Sequence, residues 1–75
     1  MEKFKEALEQ AQRMKSHYEK SIKEDLRKAE LCRQLGEIKE AKRYESSVKF
    51  SEEQRNLHQS YIEAIEYRLA LKEVA

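Results

Sequence analysis

The sequence predicts an all-α fold: an antiparallel helical hairpin of two long amphipathic helices, over about residues 3–35 and 37–74, dimerising into a four-helix bundle. Three observations carry this reading. Apolar residues recur three or four positions apart along nearly the whole chain, the one glycine, Gly36, lies near its midpoint, and no proline interrupts a helix elsewhere. Good helix formers (Glu, Lys, Arg, Gln, Leu and Ala) are abundant, and strand formers never alternate.

The first stripe is Phe4, Ala7, Leu8, Ala11, Met14, Tyr18, Ile22, Leu26, Ala29, Cys32 and Leu35. Spacing of three or four puts these side chains on one face of a helix of about nine turns. After Tyr18 the positions drift off a heptad, because Ser21, Asp25 and Lys28 fall where seam residues belong. Ala7, Tyr18 and Ala29 repeat every eleven residues instead. An eleven-residue repeat predicts a helix that is straight or weakly right-handed in its supercoil.

Gly36 directly follows the last periodic residue, Leu35, which is the usual place for a left-handed helix cap. Arg33 suits the negative end of the first helix, and Glu37 and Glu40 suit the positive end of the next. The connection is therefore very short, which implies antiparallel neighbours. Leu35-Gly36-Glu37-Ile38-Lys39-Glu40-Ala41 resembles the short turn of tetratricopeptide and related helical-hairpin repeats. That likeness covers one turn, has its next aromatic displaced to Tyr44, and implies nothing about function.

The second stripe opens with Ile38, Ala41, Tyr44 or Glu45, and Val48. Ser51-Glu52-Glu53-Gln54 matches a capping box, so a helix break there would make the fold a three-helix bundle. Without a Gly or Pro beside the box, an unbroken second helix is the preferred reading. Its length agrees, since roughly 34 residues before the turn and 38 after it give two arms of about 50 Å. Zipping them from Gly36 pairs residues whose numbers sum to roughly 73. Leu35 then meets Ile38, Cys32 meets Ala41, Leu26 and Ile22 lie near Val48 and Ser51, and Tyr18 lies near Arg55. Farther out, Met14 faces His58, Ala11 faces Ile62, Leu8 faces Ile65 and Phe4 faces Leu69. The middle is polar, with Ser51, Glu52 and Arg55 on the seam.

At 75 residues the chain makes one domain, 1–75, with a small internal core. Its stability must come from regular packing or a partner, because the single cysteine, Cys32, excludes an internal disulfide. Charged residues make up 41% of the chain, but the net charge is only +1 and 39% is hydrophobic with regular spacing, which argues against disorder. No apolar run has membrane-spanning length and no apolar segment follows Met1, so the expected location is cytoplasmic, with no membrane contact.

Candidate chemistry is sparse. His17 and His58 fall in nearby layers, with Asp25 and Glu52 not far off, yet neither histidine has a Glu three residues before it, as di-metal bundles require. They read as boundary histidines, and Cys32 reads as a small core filler. No enzyme, cofactor or metal site is expected.

Two surfaces stand out. Leu57, Tyr61, Ala64 and Leu71 form an apolar row beside a second row of Ile62, Ile65 and Leu69, with Tyr67, Ala70 and Val74 widening the total. So wide a stripe needs two neighbours: the first helix, and either a second copy of the chain or a different protein. The expected function is a small adaptor, inhibitor or regulator that binds an unidentified protein through Leu57, Tyr61, Ala64, Tyr67 and Leu71. The four tyrosines fit either an interface, where an apolar ring with a polar tip is favoured, or the edges of the apolar stripe.

The alternative is nucleic-acid binding at the turn end. From Lys20 to Lys49 there are nine basic and six acidic residues, so that segment is +3 and the remainder −2. Arg27, Lys28, Arg33, Lys39, Lys42 and Arg43 are the candidate phosphate contacts. The interspersed acids read as stabilising helix pairs, such as Glu24 with Lys28.

Overall fold

A computed structural model describes residues 2–74 and shows the antiparallel hairpin. Helix α1 runs Glu2–Gln34 and helix α2 runs Ile38–Val74. The hairpin is a rod, with Cα extents of 59 × 14 × 13 Å. Helix α2 passes through Ser51 without a break, so the capping-box sequence caps nothing and there is no third helix among the described residues. With helical hydrogen bonds already made on both sides, Ser51 has no free backbone N–H to satisfy.

Gly36 closes the first helix at φ +78°. Its N–H donates to the Arg33 carbonyl at 3.1 Å, and the Glu37 N–H reaches back to the Cys32 carbonyl at 2.8 Å. This pair of bonds is a Schellman closure, which satisfies two carbonyls that the helix end would otherwise leave free. The Glu37 carbonyl then accepts from Ala41 N–H at 3.1 Å, so α2 starts within two residues of the reversal.

Contacts across the hairpin keep the predicted register. Asp25 pairs with Ser47 and Lys28 with Tyr44, each adding to 72. Tyr18 with His58 and Phe4 with Lys72 add to 76. The local partners shift by a turn or less: Tyr18 stacks on His58 rather than lying near Arg55, because the two rings reach along the seam.

Burial departs from the predicted periodicity. The positions of α1 that are at least half-buried include 4, 8, 11, 15, 18, 22, 25, 29 and 32, a seven-residue repeat. Asp25 and Lys15 therefore occupy seam positions, and the eleven-residue repeat does not describe the seam, since Ala7 is exposed. Leu26 and Leu35 also leave the seam, at 51% and 74% exposed, and Leu35 does not bury itself on Ile38, which is exposed too. Two helices cover only one narrow stripe of each other, so residues one step to the side face outward. Opposite, α2 buries Ala41, Val48, Ser51 and Ile62, while Glu52 points to solvent and Arg55 is half-buried.

The resulting interior is thin. Its buried hydrophobic residues among those described are Ala11, Ile22, Ala29, Ala41, Val48 and Ile62, and no large side chain is fully enclosed. The alanines at the turn end let the two backbones approach closely; Ile22 and Ile62 supply the bulk. Truncating Ile62 to Ala is expected to cost about 2–3 kcal/mol by urea unfolding. A Cβ at position 36 would meet no atom within 4 Å. Gly36→Ala should therefore lose roughly 1–2 kcal/mol through the left-handed backbone alone, with an unchanged unfolding slope.

Candidate protein-interaction surface

Seven-residue spacing puts Phe50, Leu57, Ala64 and Leu71 on one flank of α2, about a quarter turn or more from the seam. All four are exposed, and so is Tyr61, which stands between Leu57 and Ala64 on the seam side of the row. Near the open end this row borders a shallow apolar groove lined by Phe4, Ala7, Tyr61, Ala64, Ile65 and Arg68. Lys72 lies over the Phe4 ring at 4.6 Å and covers part of that end.

Four of the five sequence-predicted interface residues, Leu57, Tyr61, Ala64 and Leu71, thus lie together. Tyr67 does not join them. It is 66% exposed but shares its heptad place with Glu53 and Ser60, on the side of α2 facing away from α1. The side chain of Val74 lies outside the described residues. Phe50, 56% exposed, extends the row by two turns past the hairpin's middle toward the turn. Its signal was in the sequence as the next step, seven residues before Leu57, but it sits among charged and polar neighbours that hide it from a local reading.

The other flank is mostly polar, with Leu26 its exposed apolar exception. Gln12, Glu19, Gln59 and Glu66 line it around Ile62, and the Arg33–Glu45 ion pair lies along it nearer the turn. The hairpin therefore has two unlike sides, one lined on α2 by Glu45, Glu52, Gln59 and Glu66 and one carrying the apolar row.

A chain of rings ties the row to the seam. His17 meets Tyr18 edge-on at 5.3 Å, Tyr18 lies against His58 at 5.7 Å, and His58 meets Tyr61 edge-on at 5.6 Å. His58 Nδ1 donates to the Gln54 carbonyl at 2.7 Å, one helical turn back, which fixes the ring. Both histidines are thereby placed in ring contacts. No group of three metal-ligating side chains occurs among the described residues, and Asp25 is bonded to the Ser47 hydroxyl at 2.8 Å. Cys32 is a half-buried free thiol on the seam.

The six candidate phosphate contacts do not form one face. Arg33 is held by Glu45, Arg43 lies 3.5 Å from Glu40, and Lys28 sits over the Tyr44 ring at 5.8 Å. Arg27 and Lys28 flank Leu31 on α1, while Lys39 and Lys42 belong to the first turns of α2. Half of the cations are thus matched within the hairpin. No described helix is long and apolar enough to cross a membrane.

No family model, curated protein or solved structure matches the chain.

The Arg33–Glu45 pair is about half exposed on each side, so it should contribute little. Replacing Glu45 with Gln is expected to cost under about 1 kcal/mol at low salt, and the difference should vanish in melts at about 1 M salt.

Proposed function

We propose that this chain is a small non-enzymatic protein-interaction module, an adaptor, inhibitor or regulator, whose working surface is the apolar flank of α2. The observation that carries the reading is the exposed row Phe50, Leu57, Tyr61, Ala64 and Leu71, which lies outside the hairpin's own thin interior. Exposed apolar side chains aligned on one flank mark a binding site, and a straight helical row fits another helix. The free Cys32 thiol fits a reducing, cytoplasmic setting.

The rival reading, phosphate binding by Arg27, Lys28, Arg33, Lys39, Lys42 and Arg43, rests on the +3 charge of residues 20–49. Intrahelical and cross-hairpin partners already engage three of those six.

Salt separates the two. Protein captured through an apolar row should stay bound from about 0.1 to 1 M salt, whereas phosphate-driven binding falls steeply over that range. Immobilised chain is expected to retain protein at both salt concentrations and to lose it on Leu57→Glu with Tyr61→Glu. Retention of nucleic acid that Lys42→Glu with Arg43→Glu abolishes, with no effect of the row changes, would overturn the proposal.

A further inference from the structure

We infer that the apolar row is covered by the same row of a second copy, with the two α2 helices antiparallel and the two turns at opposite ends of the pair. This rests on the reading of the row as an interaction surface and names its occupant.

Two twofold arrangements would bury a broad side of the hairpin against another. With both turns at one end, α2 lies on the partner's α1, and layers keep their level. Phe50 would then face Glu24, Leu57 would face His17 and Ala64 would face Gln10, all exposed and none apolar. Such contacts leave the row on a polar strip and strand a carboxylate against a phenyl ring. With turns at opposite ends, α2 lies on α2, and the row matches itself. Phe50 meets Leu71 of the second copy and Leu57 meets Ala64 of the second copy, large against small along the row.

Charge points the same way independently. The +3 turn half would lie toward the −2 half that holds the termini, whereas turns at one end would set the two +3 segments together. In this register the two α2 helices overlap over residues 47–74, about 42 Å of the rod at ~1.5 Å per residue, and a strip of that length and 14 Å width covers roughly 600 Å² per partner, the size of a weak, reversible pair. The need is also present, because a two-helix interior enclosing no large side chain gains most from a second layer.

The test is sedimentation combined with disulfide trapping. The row's midpoint falls between Ser60 and Tyr61, so Ser60→Cys in a Cys32→Ser background lies next to its own mate only if α2 pairs with α2. The expected result is a wild-type dimer, a Ser60→Cys chain that links to itself in a glutathione redox buffer, and a Kd raised about tenfold or more by Leu57→Glu. A monomeric wild type, or a dimer in which Ser60→Cys stays unlinked, overturns the inference. A monomer that still captures another protein through Leu57 and Tyr61 would remove the second copy alone and leave the interaction reading standing. Failure of both capture and dimerisation would remove both.

Discussion

The short left-handed closure at Gly36 governs the rest of the molecule. Because Glu37 N–H bonds back to Cys32 and α2 begins at once, there is no slack by which one arm could slide along the other. Every layer follows from that restraint: Asp25 finds Ser47, Tyr18 finds His58, and Phe4 reaches Lys72 almost the full length of the rod away. A longer loop would have left the polar middle free to choose another register. With the turn fixed, Ser51 is carried into the seam although a serine offers little to hold it there.

What a two-helix fold can enclose is limited, and the limit explains the surface. Each helix covers one stripe of the other, and the remaining apolar residues must face outward. On α1 these are scattered, as with Leu26 and Leu31, and single exposed leucines are ordinary. On α2 they line up at seven-residue intervals along a flank, while the opposite flank is lined by glutamates and glutamines. It is this difference between the two sides, rather than total hydrophobicity, that sets one face apart.

The fold was legible because its signals were strong and local: one glycine, no proline and continuous periodicity over both arms. The continuity of α2 through Ser51 was legible as well, since a cap needs an interrupted helix to act on. Which residues turn inward was harder. A stripe read at spacings of three or four admits Leu26 and Leu35, but the neighbouring helix selects only those in heptad step with it, Asp25 and Lys15 included. Tyr67 matches the row in chemistry and is separated from it by geometry. Phe50 is hidden in the sequence by its polar neighbours, and only the face it shares with Leu57 reveals it.

The ring contacts at the hairpin's centre bear on how costly docking is. Tyr61 is not a loose side chain waiting on the surface: His58 abuts its ring edge-on, and His58 is itself anchored to the Gln54 carbonyl and backed by Tyr18. Much of the rotamer freedom that an exposed tyrosine would surrender on association has therefore been surrendered during folding. The middle of the row is preorganised by the very layer where the seam is least apolar.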